Sequence, residues 1–443
     1  MLFGHAEHGF GDLGVSISVL IYLCLAALAT TSLALWRIWP DVNLRKAAEG
    51  LELPALLQRA RGPAVAAGGT VGVLGLLLVL SVAALGRDLA ATNLAPATVL
   101  VVFWVGGSAA SFVVGDFWRL LNPFLATARL ADRLRGRAAR RPARGPDAWW
   151  LPAAALLVFV WYMQAFHDTT SPRSLAVAAG GYTVVFGTAA VAWGAGWIER
   201  NEPFAAYFDA IGRAGILGLD RDGQLVLRPP ATGLATISRG KRAAGLAIVV
   251  IGWIAFDALR FSGFWADVQG DSSGWALTLM STIGLLWMIG VVAAAYLGVA
   301  RVAEMLGARP RWSLAPAFSS TLVCIAVGYT LGPFIDRLVF DSQWVFAQLS
   351  NPFGHGWDLF GTAARTVDYD TPSATALAWT TLTILVVTHV IALVTVHDSA
   401  RRRSGSTPST GTSGTTAIGR VVLPFSALVY GSLILAVSIV VGA

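Results

Sequence analysis

Charge is what this chain has least of. Only 13% of its 443 residues are Asp, Glu, Lys or Arg, about half the roughly 25% of an ordinary soluble domain. That scarcity excludes a soluble globular protein. Cysteine is almost absent as well. Cys24 and Cys324 both fall inside apolar runs, which excludes a disulfide framework or a cysteine metal site. No HExxH pair occurs, so the common helical zinc signature is missing. No Lys or Arg precedes the first apolar run. The start therefore lacks the basic region of a cleaved signal peptide and is expected to be retained.

What is there is apolar. Hydrophobic residues make up 56% of the chain, and the mean hydropathy is +0.65. A spanning helix needs about 20 apolar residues. Such runs recur near 15–36, 64–85, 94–115, 149–166, 174–197, 243–260, 274–298, 313–336, 374–396 and 418–441. The fold class expected is an all-α, polytopic transmembrane helical bundle of about ten spans. Numbering the loops alternately puts 27 Lys and Arg on one side and only Arg87, Arg173, Arg260, Arg337 and Arg365 on the other. The positive-inside rule then places both termini outside and the basic loops on the cytoplasmic side of the membrane. The net charge of +7 belongs to those loops. It implies a bilayer with anionic headgroups as partner, not nucleic acid; the sequence names no partner subunit.

The organisation expected is a helical domain over 1–398, a disordered Ser/Thr/Gly-rich cytoplasmic linker over 399–417, and a last spanning helix over 418–443. Cytoplasmic segments 116–148 and 198–242 interrupt the helical domain. Two of their stretches are related: GDFWRLLNPFLATARLADRLRG (Gly115 to Gly136) and GWIERNEPFAAYFDAIGRAG (Gly196 to Gly215). Each has Asn-Pro-Phe or Glu-Pro-Phe opening an amphipathic pattern. Proline costs nothing in a first helical turn, and Asn122 and Glu202 before it suit the positive helix start. Each is expected to be a helix lying on the inner surface with its arginines toward headgroups. The match also hints at an internal repeat. GLDRDGQLVLRPP predicts a small hairpin around Asp222-Gly223.

The stretch Asn351 to Thr362, NPFGHGWDLFGT, packs three glycines, two aromatic rings, His355 and Asp358 into one loop. It reads either as a membrane-interface loop with Trp and Phe at headgroup level or as a loop that carries function. The topology puts His5, His8, His167 and His355 on the outer side with several carboxylates. Imidazole plus carboxylate binds zinc and similar divalent ions, and an open metal position would supply hydroxide. His389 and Asp257 fall within apolar runs. Such groups need partners and mark proton or ion pathways. The plainer accounts are a helix–helix hydrogen bond for His389 and an ion pair from Asp257 to Arg260, three residues on.

NPFGHGWDLFGTA, THVIALVTVHD (Thr388 to Asp398), GDFWRLLNPF, GQLVLRPP and HGFGD (His8 to Asp12) together resemble a family of prokaryotic polytopic membrane proteins named for fenitrothion hydrolase. The resemblance implies a membrane-integral organophosphate-ester hydrolase. Two functions follow. One is an outward-facing, metal-assisted hydrolase with His355, Asp358, His8 and His167 as ligands or acid–base groups. The other is a transporter using Asp257, His389 and the Gly332-Pro333 break in the eighth run. A subunit without chemistry of its own is the third.

Overall fold

A computed structural model describes residues 15–40, 42–136, 145–220, 222–238, 240–306, 314–403 and 412–442. The described residues are predominantly helical. Among them, eight helices are long and apolar enough to cross a membrane, and the bent pair Ala315–Leu331 and Ile335–Gln348 would make a ninth. All ten apolar runs coincide with helices, but the fourth forms only Leu151–Gln164, 14 residues long.

The spanning helices are α1 (Ile17–Arg37), α3 (Ala55–Leu85), α9 (Pro172–Trp193), α12 (Gly240–Arg260), α14 (Gly274–Met305), α17 (Ala374–Arg403) and α18 (Thr412–Gly442). Between α1 and α3 lies α2 (Leu44–Ala47). The third span is composite: α4 (Leu94–Ala97), a π-helical stretch Thr98–Gly106, and α5 (Gly107–Val113). Shorter helices are α6 (Trp118–Leu121), α7 (Pro123–Leu134), α8 (Leu151–Gln164), α10 (Ala195–Asn201), α11 (Pro203–Gly212) and α13 (Gly263–Gln269). The bent pair supplies α15 (Ser319–Leu331) and α16 (Ile335–Gln348), which meet at 55° across Gly332-Pro333. Proline there lacks the N–H that would continue the helix. Thr381 Oγ1 on α17 donates to the Gly332 carbonyl (2.9 Å), which also accepts from the Ile335 N–H (3.4 Å).

The expected hairpin exists: β2 (Leu217–Leu219) pairs antiparallel with β3 (Leu225–Leu227). A third strand, β1 (Leu51–Glu52), adds to the other edge of β3. Of the segment expected as a linker, 399–403 belong to α17 and 412–417 to α18, and 404–411 lie outside the described residues. Nor is α18 set apart. It packs against α1, α14 and α17, with Phe425 stacked on Phe318 at 4.0 Å.

The two Pro-Phe segments depart most from expectation. Their pattern predicts helices on the membrane surface, yet eight of the ten residues of α11 are buried, as are Pro123, Phe124 and Leu125 of α7. Each segment turns back into the bundle. After α5 the chain reverses at Gly115 (φ +131°), and after α9 at Gly194 (φ +84°), both in the region glycine favours. The next short helix climbs beside the span just left. Trp197 of α10 contacts first Trp193 and then Phe186 of α9 (4.5 and 6.3 Å between centroids). Trp118 of α6 reaches Phe103 of the third span (4.8 Å). Each climb ends at Asn122-Pro123 or Glu202-Pro203, and α7 or α11 descends again. Phe124 of α7 packs on Tyr182, and Asp132 near its end accepts from the Ala195 N–H at the foot of α9. Phe204 of α11 packs on Phe103 (4.8 Å), and Ile216 beyond its end donates to the Val113 carbonyl (3.1 Å).

Residues 55–134 and 151–212 therefore repeat one plan: a helix, a spanning helix, a short climbing helix, a break and a descending helix. The packing repeats as well. α3 lies on α6 and α7, as α8 lies on α10 and α11. α7 lies on α9, as α11 lies on α5.

Candidate functional site at the meeting of two helix breaks

Equivalent positions of the two repeats touch. Aligning Asn122 with Glu202 aligns Arg119 with Glu199. Asn122 Nδ2 donates to Glu202 Oε2 at 2.8 Å, and Arg119 Nη2 lies 2.9 Å from Glu199 Oε1. Contacts between equivalent positions are what a pseudo-twofold axis passing between the two segments would produce.

The depth of the contact follows from its neighbours. Tyr182 donates its hydroxyl to Glu202 Oε1, and it is midway along α9. Phe103, which contacts both Trp118 and Phe204, is midway along the third span. At 1.5 Å rise per residue, the breaks thus lie about 15 Å from either end of the spanning helices.

Glu202 is fully buried, and Asn122 is 1% exposed. An ionised carboxylate so placed costs several kcal/mol unless its lone pairs are met. Here they are. Oε1 accepts from the Tyr182 hydroxyl and from the Phe204 N–H (3.1 Å). Oε2 accepts from the Ala205 N–H (2.7 Å), Asn122 Nδ2 (2.8 Å) and Trp118 Nε1 (3.3 Å). Two of these donors are the first free N–H groups of α11. Asn122 Oδ1 caps α7 in the same way, accepting from Phe124 and Leu125 (2.9 Å each). Both helix starts thus present their positive ends to one point.

The surroundings are polar in an apolar shell. Tyr207 of α11 shares hydrogen bonds with Ser108 (3.2 Å) and Thr330 (3.4 Å). Its ring stacks on Trp104 at 4.7 Å, on the π-helical stretch. Such stretches concentrate at functional sites. Asn201 Oδ1, Trp104 Nε1 and Ser111 Oγ are buried without a hydrogen-bond partner.

On the basic side of the breaks, Asp116 follows the Gly115 reversal. Burial, and then the neighbouring Asp209, push its carboxyl up to about 7.

The residues singled out from sequence lie elsewhere. His5 and His8 fall outside the described residues. His167 shares its Nδ1 with Thr278 Oγ1 (2.9 Å), between the rings of Phe166 and Trp275. His355 is exposed beside Phe353 and Trp357. Asp358 accepts from the Ala363 N–H (3.1 Å), closing its own loop. Among the described residues, no group of three or more His, Cys, Asp or Glu could hold a metal ion. His5, Glu7, His8 and Asp12 lie outside those residues. The loop itself is docked: the Pro352 and Phe353 carbonyls accept from Leu94 and Arg87. Exposed Trp357, Leu359 and Phe360 give it the apolar surface of an interface loop.

Asp257 is 7% exposed and accepts from Gln164 Nε2, with Arg260 Nη2 at 3.5 Å. Trp253 donates to Gln164 Oε1 (3.2 Å) and stacks on Phe334 beside the Pro333 break. His389 faces the other way. Its Nδ1 meets the Leu385 carbonyl (2.7 Å) and its Nε2 meets Ser432 Oγ on α18 (3.1 Å). The hydrogen-bond partners named for Asp257 and for His389 have no residue in common. The plainer account of each is the one observed. Gly270-Asp271-Ser272-Ser273-Gly274 has the Gly-x-Ser-x-Gly spacing of hydrolase nucleophiles, but it joins two helices instead of a strand and a helix. Ser272 Oγ there points at Met280 Sδ (3.3 Å).

Sequence reasoning missed Glu202, Tyr182 and Trp118 as site residues. The signal was present in the paired Asn-Pro-Phe and Glu-Pro-Phe stretches, whose pattern equally describes surface anchors. Comparison of the chain with family models, with curated proteins and with solved structures finds no match.

Proposed function

We propose that the chain is a multi-pass membrane transport protein whose two repeats form the conducting core, with Glu202 as the group that takes up and releases a proton. The observation that carries this reading is the meeting of two helix breaks at a carboxylate midway along the spanning helices. Broken helices whose starts face a buried polar point are how transporters build sites at the membrane midplane. Ionisable groups at that depth are costly and tied to function. The ligand is a proton rather than a metal ion because five donors already occupy both carboxylate oxygens. A metal would have to displace several of them, a proton only one. The lopsided arginines orient the protein with both termini outside and the Arg119–Glu199 side toward the cytoplasm. In this arrangement ten helical stretches cross the bilayer of a prokaryotic plasma membrane, the 14-residue α8 and the bent pair α15–α16 included, and α6–α7 and α10–α11 enter it from the cytoplasmic side.

The test is proton flux into liposomes containing the purified chain and a trapped pH dye. Wild type dissipates an imposed pH gradient and Glu202→Gln does not, while Asp358→Asn, in an exposed loop, behaves as wild type. A wild-type protein that leaves the gradient intact overturns the proposal. The organophosphate-hydrolase reading has the family resemblance as its support and separates by metal content. Near-stoichiometric zinc in the detergent-purified protein, lost in His355→Ala, would favour it.

A further inference from the structure

A second polar site lies on the basic face, walled in part by Glu199 and Arg200, on the short helix that ends just before Glu202. A cavity of about 150 Å³ opens between α10, α11 and α12. Its wall carries Arg200, Arg213, Arg242, Ser238, Glu199 and Asp209. Both carboxylates are already engaged. Glu199 Oε1 is held by Arg119 (2.9 Å) and approached by Arg129 (3.9 Å). Asp209 takes a fork from Arg213, whose Nε and Nη2 lie 3.1 to 3.3 Å from its oxygens. Arg200 and Arg242 converge on Asp147. Arg242 Nη2 bonds to it, whereas Arg200 Nε lies 3.5 Å from it, buried and without a hydrogen bond.

Five arginines thus meet three carboxylates around one partly enclosed space. With Asp116 beside Asp209 fully ionised, one positive charge still remains uncompensated. Guanidinium forks match the oxygens of phosphate in pairs, and the Ser238 hydroxyl supplies a neutral donor on the same wall. The volume is ample for one phosphate group. We propose that this cavity binds a phosphate group, presented by an anionic lipid or by a small soluble phosphate. The inference stands whether or not Glu202 moves protons.

The test uses the full chain in nanodiscs of neutral phosphatidylcholine. One arm titrates inorganic phosphate against chloride at equal ionic strength. The other replaces part of the lipid with phosphatidylglycerol and follows lipid retained on the protein by native mass spectrometry. A thermal midpoint that rises with phosphate but not chloride assigns the soluble source. A rise and retention only with phosphatidylglycerol assign the headgroup. In either arm Arg200→Gln weakens the response at least tenfold, and Arg365→Gln, at the opposite end, leaves it unchanged. Ser238→Ala, which disturbs no ion pair, weakens it by a smaller factor. Absence of response in both arms overturns the proposal, as does a folded Arg200→Gln and Ser238→Ala pair responding like wild type.

Discussion

Gly72 and Gly75 sit on the same helix, one turn apart, and alanine should do opposite things to them. A Cβ at Gly75 meets nothing within 4 Å. Alanine there replaces glycine in a helix and should stabilise by about 0.5–1 kcal/mol. A Cβ at Gly72 would fall 1.6 Å from the Leu121 carbonyl oxygen, a backbone atom. That contact must open by well over an ångström. Leu121 has little freedom to retreat, because Asn122 next to it caps α7 and bonds to Glu202. Overpacking alone costs about 1–3 kcal/mol. Loosening the cap adds roughly 0.5–2 kcal/mol. The expected cost of Gly72→Ala is therefore about 2–5 kcal/mol, against a small gain for Gly75→Ala. The assay is the thermal midpoint of each variant in one detergent, with Gly75→Ala as the internal reference. A Gly72→Ala midpoint at or above that of Gly75→Ala would refute the close approach of α6 to α3, and with it the re-entry of this segment.

Three further outcomes follow from the same geometry. Asp116 holds its proton up to about 7 in the folded protein, whereas an unfolded Asp releases it near 3.9. The folded state binds the extra proton, so stability falls as pH rises from about 4 to about 7 and levels off above; Asp116→Asn should flatten that slope in a melting series. Arg119→Glu should lower the midpoint by repulsion from Glu199, and adding Glu199→Arg should restore most of it. The half-exposed pair makes this effect small, about 0.2–1 kcal/mol, and a double variant no better than the single one would count against the paired repeats. Thr381→Val removes a buried hydroxyl from the Gly332 carbonyl. It should cost about 1–3 kcal/mol, read as a lower midpoint than that of Thr380→Val, whose hydroxyl is exposed.

Much of the fold was legible because apolar run length is set by the bilayer and needs no tertiary contact to be read. The hairpin was legible from Asp222-Gly223, since a tight turn is a local property; Gly223 has φ +80°. The third strand was not, because Leu51 and Glu52 pair with residues far along the chain. The Glu202 site was half legible. Both Pro-Phe stretches stand out, and Asn122 and Glu202 do cap the helices that follow them. An amphipathic pattern with arginines, however, describes a helix on a membrane surface and one descending from mid-depth equally well. What separates them is the partner of the cap: at a surface Glu202 would face water, whereas here it faces Asn122 and Tyr182. His389 shows the opposite limit of sequence pattern. A histidine in an apolar run invites a functional reading, but Leu385 and Ser432 satisfy it locally.

The two repeats differ at the one position where their equivalence matters most. Two asparagines at the meeting point would give a neutral contact with nothing to titrate. Two glutamates would set like charges against each other at hydrogen-bond distance. Asn122 opposite Glu202 gives one donor, one acceptor and a single acidic group near the pseudo-twofold axis. The proton transfer proposed for Glu202 therefore requires the repeat to be imperfect. The consequence is testable by exchanging the two chemistries. Asn122→Asp alone places two carboxylates together and should lower the thermal midpoint. Adding Glu202→Gln restores a donor–acceptor pair with its direction reversed. The amide now at position 202 donates to the carboxylate now at position 122, and both side chains keep an oxygen to cap their helices. The double variant should recover most of the lost stability. If the two losses simply add, the side chains do not face each other as described, and the central contact of the fold is wrong.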